Sequence, residues 1–197
     1  MDETHDDAPI DDLLAEMPRL IAIRRLADTV KSIPWLSRVG EPLSQSDRDW
    51  ADRYLSALGL PDCTTAPLTT WEDAGEAAEA LDFNSPAWEL EEQLRAGLAA
   101  EALEHLHEEG LQVLLADLRD RSIEIIEPDV REAAALWDVE DDTLIQLAIG
   151  SAMQSLIGAA LITAADGEPT HALAFKHRLF VEGRWPVSIT GATFNLF

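Results

Sequence analysis

Glu101, Glu104, His105, His107 and Glu108 place three carboxylates and two imidazoles within eight residues of a stretch with helical periodicity. Spacings of three, four and seven set Glu101, Glu104, His105 and Glu108 along one side of a helix. Helical bundles build metal sites from carboxylates and imidazoles arranged in this way. Glu101, His105 and Glu108 are therefore candidate metal ligands. Glu104 and His107 also match the Glu-x-x-His pattern of carboxylate-bridged di-iron proteins. On a helical wheel Glu101 and His105 adjoin the stripe of Leu94 and Leu98 and could face inward, whereas Glu104 and His107 point away from it. A di-iron site needs a second Glu-x-x-His on another helix. The one other match, Glu168-Pro169-Thr170-His171, contains a proline and falls in a loop. The cluster thus reads first as a solvated acidic face with a half-buried histidine, and second as a metal site.

Lys176, Arg178, Arg184 and Trp185 form the one grouping of cations with an aromatic residue. Such a grouping could recognise an anionic ligand, with Trp185 as its platform. Two ordinary roles compete with that reading. Cations near a helix C-terminus complement its dipole, and Gly183 followed by Pro186 would stop such a helix. The same cations could also pair with the acidic middle of the chain. Cys63 is the single cysteine and lies in a Pro/Thr-rich stretch. No Gly-x-Ser-x-Gly, His-Glu-x-x-His or phosphate-cradling glycine loop is present, which disfavours the enzyme classes that such motifs mark. Pro34-Trp35-Leu36 and the Trp50/Tyr54 pair read as core aromatics.

The net charge of −24 over 197 residues is unevenly spread. Residues 62–142 hold 23 acids against Arg95, Arg119, Arg121 and Arg131, a balance of −19. A field of this sign repels nucleic acid and anionic membrane and favours basic partners or cations. Solubility or a salty environment would produce the same composition, and two lysines against twelve arginines suggest a compositional bias. The start of the chain is acidic and has neither a positive n-region nor an apolar h-region. That argues against a secretory signal and for a cytoplasmic protein.

The elements that must carry these residues are mostly helical. Apolar positions from Ile10 to Ile33 repeat with helical spacing, and Pro18 marks a kink or a fresh start. Ser44 or Ser46 caps a second helix that Gly59 and Pro61 end. Residues 60–68 read as a linker, a possible subdomain break. Thr70 with Asp73 resembles a capping box. Ser85-Pro86 opens a long helix bearing Leu90, Leu94, Leu98, Ala102 and Leu106. Gly110 should end or interrupt it, with a further helical period to about Arg121. Residues 123–126 are strand or extended, Pro128 restarts a helix, and Asp141 caps the next. Residues 143–165 carry no charge over 23 positions, which is long enough to span a bilayer. Their acidic flanks favour instead a buried central helix, with Gly150 and Gly158 letting neighbours approach. Residues 171–182 allow helix or strand. The last residues read as a hairpin turning near Thr190-Gly191, with the apolar terminus docked on the core.

The expected fold is mainly α: a single helical domain over 1–197, frayed at 1–10, bundled around the 143–165 helix and carrying a small C-terminal β hairpin. The leading functional expectation is a non-enzymatic interaction or inhibitor-type module that engages a basic protein partner, without nucleic acid, membrane or cofactor. One alternative is a metal-dependent enzyme using Glu101, His105 and Glu108. In the other, the acidity is environmental and the working surface lies near Trp185.

Overall fold

A computed structural model describes residues 18–197, and the expected fraying at 1–10 and periodicity at 10–17 lie outside the described residues. The described chain is mainly helical. Its elements are α1 (Pro18–Thr29), a 3-10 turn (Val30–Ser32), α2 (Gln45–Leu58), β1 (Thr64–Pro67), α3 (Trp71–Glu79), α4 (Pro86–Ala135), α5 (Asp142–Ala164), α6 (Ala172–Val181), β2 (Pro186–Thr190) and β3 (Thr193–Leu196).

Local capping chemistry sets most helix starts. Ser44 and Asp47 exchange side-chain and backbone hydrogen bonds across the first turn of α2, and Thr70 and Asp73 do the same for α3. The Ser85 hydroxyl accepts from the Trp88 N–H with Pro86 at the first helical position, and Asp141 accepts from the Thr143 and Leu144 N–H groups. Each such cap satisfies donors that the helix itself cannot pair. Residues 171–182 resolve as helix, capped by His171 Nδ1 accepting from the Leu173 N–H at 3.1 Å.

The long helix differs from expectation in two ways. Its break falls at His107 (φ 55, ψ 165), and Gly110 is helical. The phase of the buried stripe explains this. Before the break Leu98, Ala102 and Leu106 are buried; after it Leu111, Leu114, Leu118, Ser122, Ile126 and Val130 are. Leu106 to Leu111 is five positions, which in a regular helix would leave the two stripes about 140° out of register. One residue leaving the helical conformation brings both stripes back to the core. Residues 123–126 are helical as well, and the helix runs through Pro128. Ser122, Ile126 and Val130 keep a four-residue spacing across the proline with Ile126 and Val130 fully buried. That burial offsets the lost hydrogen bond and ring clash of an interior proline, which cost about 3 kcal/mol.

α5 is the central helix. It packs on α4, α6 and α1, and most of its residues are buried. Its exposed strip holds Gln146, Leu147, Gly150 and Gln154, so both glutamines face out, whereas Ser155 is buried. By length and composition α5 could cross a membrane, and 61% of that window is buried within the fold. Gly158 lets α6 approach: a Cβ there would lie 3.4 Å from the Leu173 Cβ. Gly150 has nothing within 4 Å and plays no such part.

The hairpin forms as expected, with Gly191 (φ 60) in the turn between β2 and β3. Residues 60–68, expected as a linker, contain β1, which pairs in parallel with β3 to give the order β1-β3-β2. The C-terminus is buried: Phe194, Leu196 and Phe197 are at most 1% exposed. A second, smaller core of Tyr54, Leu55, Leu58, Leu179, Ile189 and Phe194 joins α2, α6 and the hairpin.

Candidate functional site

The cation cluster of the C-terminal segment is taken apart by the helix that carries it. Lys176 points inward to Glu91, its Nζ donating to both carboxylate oxygens at 2.7 and 2.9 Å. The Tyr54 hydroxyl donates to the same Glu91 Oε1 at 2.6 Å. Burial pushes the Glu91 carboxyl up, but the charge and hydrogen bonds of Lys176 outweigh it and hold the group below the usual carboxylate range. Burial, then Glu91 itself, pushes the Tyr54 phenol well above its ordinary value. The three side chains come from α4, α6 and α2 and line a cavity of about 40 Å³ with Trp88, Ile189 and Phe194. A water needs roughly 10–15 Å³ measured this way, so this space suits a few waters and is too small for a drug-sized ligand. Tyr54 reads as a core aromatic in the sequence, but its contact with Glu91 has no signature there, because 37 residues separate the two and no local pattern links them.

Arg184 and Trp185 lie inside the protein at 0% and 2% exposure, so they cannot form the exposed recognition patch that their composition suggested. Arg184 donates to Asp47 Oδ2 through Nε (3.2 Å) and Nη2 (2.9 Å), and to the carbonyls of Arg38, Glu41 and Pro42. Asp47 is equally buried and also accepts from Arg38 and from the Ser44 N–H. Burial raises its carboxyl, while Ser44 and Arg184 bring it below its ordinary value. The network joins the turn after α6 to the loop before α2. Trp185 packs against Trp71 and Phe197 at centroid distances of 5.6 and 6.4 Å. Of the four candidates, Arg178 remains at the surface, paired with Glu182 and lying over the Trp50 ring.

His177, between Lys176 and Arg178, turns into the core. Its Nδ1 lies 3.1 Å from the Ser155 Oγ and its ring contacts Trp35. A serine beside a histidine can form an activated nucleophile when a third group orients the base. Here the Ser155 hydroxyl donates to the Ala152 carbonyl and both side chains are buried, so the pair acts as a core contact. Burial, with Arg178 nearby, lowers the imidazole to about 4.

Glu101, His105 and Glu108 are all exposed. The inward tilt expected of Glu101 and His105 is not realised, because Leu98, Ala102 and Leu106 fill the buried side. The break at His107 also falls between His105 and Glu108 and dissolves the shared helical face on which their spacing relied. Glu101 instead acts electrostatically on His171, and Glu108 accepts from Gln112 at 3.1 Å. Among the described residues no three His, Cys, Asp or Glu side chains converge as metal ligands. Cys63 is partly exposed and free.

What these residues form is an extended acidic surface. Glu89, Glu101, Glu104, Glu108, Glu109, Asp120, Glu124 and Glu132 are exposed along α4. The arginines of residues 62–142 are each held by a nearby acid: Arg95 by Glu92, Arg119 by Asp120, Arg121 by Asp117, and Arg131 by Glu127 and Asp142. Comparison of the chain with known protein families, with curated proteins and with solved structures finds no match.

Proposed function

We propose that this protein is a non-catalytic interaction module whose acidic α4 surface engages a basic protein partner. The observation that carries the reading is the concentration of negative charge on one stretch of the chain, α4 together with α3 and the turns that flank them. Residues 62–142 keep a balance of −19 with every arginine of the segment already paired inside it. The two arms of α4, before and after His107, span roughly 30 and 40 Å at 1.5 Å per residue. That is the scale of a protein–protein contact. A field of one sign over such a length steers oppositely charged partners and raises association rates.

The test is capture of partners from native lysate at low and high salt, repeated with Glu101, Glu104, Glu108 and Glu109 all changed to Gln. A stoichiometric basic protein that binds at low salt, leaves at high salt and binds about tenfold more weakly to the quadruple variant supports the proposal. A partner held through high salt, or one indifferent to the four substitutions, overturns it. So does stoichiometric iron, manganese or zinc on the purified chain that is lost in His105→Ala, which would make the cluster a metal centre.

A further inference from the structure

The corner between α4 and α5 departs from the rest of the surface. α4 ends at Ala135, Asp138 turns the chain with φ 55, and Asp141 caps α5. Leu136 and Trp137 lie within this turn at 79% and 44% exposure, and Leu136 is the most exposed large apolar side chain among the described residues. Asp138, Glu140, Asp141 and Asp142 follow directly, all exposed. Two large apolar side chains are thus presented within an acidic rim.

Trp137 is also fixed in place. One edge of its indole meets the buried Phe197 ring at 6.4 Å and 63°. Its six-membered ring lies over Gly40, where a Cβ would come within 2.4 Å of the indole and where φ is +77. The ring is thus clamped on one side and open on the other. An aromatic held in this way loses little side-chain freedom when a partner covers it, which is how binding hot spots are built.

We infer that Leu136 and Trp137 form the anchor point for a basic amphipathic segment of a partner protein, its apolar side chains covering Trp137 and its lysines or arginines meeting Asp138 and Glu140, with Asp141 (the cap of α5) and Asp142 (paired with Arg131) adding to the negative field. The inference rests on the acidic-surface reading and gives that surface a centre. Charge complementarity decides the occupant. A second copy of this chain docked corner to corner would set acid against acid, and nucleic acid or an anionic membrane would be repelled.

The test uses the full chain and two synthetic peptides of identical Lys/Leu composition, one patterned as an amphipathic helix and one scrambled. Leu136→Ser removes an anchor that is almost fully exposed. Val113→Ser, at an exposed apolar position (57%), is the control about 35 Å away along α4. The patterned peptide should bind about tenfold more tightly than the scrambled one, as expected for one buried leucine-sized anchor, and Leu136→Ser should remove most of that difference while Val113→Ser leaves it. Equal binding of both peptides, weakened by salt and indifferent to Leu136→Ser, would overturn the corner and leave the acidic-surface reading standing. No binding of either peptide at low salt would overturn both.

Discussion

Replacing Arg184 with methionine removes a fully buried guanidinium and keeps an unbranched apolar stem of similar length. The loss can be worked from its contacts. Two hydrogen bonds to Asp47 Oδ2 disappear, at 3.2 and 2.9 Å, and the carbonyls of Glu41 and Pro42 lose their Arg184 donor, whereas the Arg38 carbonyl keeps the Glu41 N–H at 3.3 Å. Breaking a buried ion pair by deleting one partner costs about 3–5 kcal/mol. Asp47 keeps Arg38 and the Ser44 N–H, which brings the ion-pair loss down to about 2 kcal/mol, and the two stranded carbonyls add about 1 kcal/mol each. The expected destabilisation is about 4 kcal/mol, against a total of about 5–15 kcal/mol for a typical protein. Urea unfolding followed by far-ultraviolet circular dichroism reads it directly, with the slope unchanged. Arg184→Lys keeps the charge but loses the fork that reaches three carbonyls at once, and should cost about half as much. In the pair with Asp47→Asn the two losses should fall short of additive by about 2 kcal/mol. A loss below about 1 kcal/mol for Arg184→Met would refute the view that this network ties the C-terminal segment to the loop before α2.

Two further expectations concern the core and the long helix. The His177 imidazole titrates at about 4 in the folded state against an ordinary 6.5, so between those values the unfolded chain binds more protons. Its contribution is intact above pH 6.5 and is lost as pH falls toward 4, by about 3 kcal/mol, and the stability slope over that window should flatten in His177→Gln. An unchanged slope would count against the buried neutral imidazole. In α4, His107→Gly should stabilise by about 1 kcal/mol because φ 55 with ψ 165 suits only glycine. Gly110→Ala should stabilise by about 0.5–1 kcal/mol, since its Cβ would meet only Leu106 at 3.8 Å. Thermal denaturation of the two variants locates the break: a destabilised Gly110→Ala would move it from His107 to Gly110.

The sequence by itself determined the features that arise within a few residues of chain. The caps at Thr70, Ser85 and Asp141, a cap for α2 at Ser44 or Ser46 that the structure resolves to Ser44, the stop at Gly59 and the hairpin turn at Gly191 all use donors, acceptors and φ preferences that neighbouring residues supply. The uncharged run of α5 likewise announced a central helix, because a segment apolar on all sides needs neighbours all round. The acidity of residues 62–142 was equally plain, because composition alone fixes it.

Tertiary structure alone decided the rest. The break at His107 follows from the phase between two buried stripes, which has meaning only once both face the same core. Residues 123–126 became helical because Ile126 falls in that stripe, and β1 became a strand because β3, about 130 residues later, offers it a partner. The cations that looked like one patch were separated because adjacent residues on a helix point about 100° apart. Lys176 therefore reached Glu91, His177 entered the core and Arg178 stayed outside, while the turn beyond Gly183 carried Arg184 to Asp47. Buried charge demands a partner of opposite sign. Here the partners lie 85 and 137 residues away in sequence, so only the packed fold brings them together.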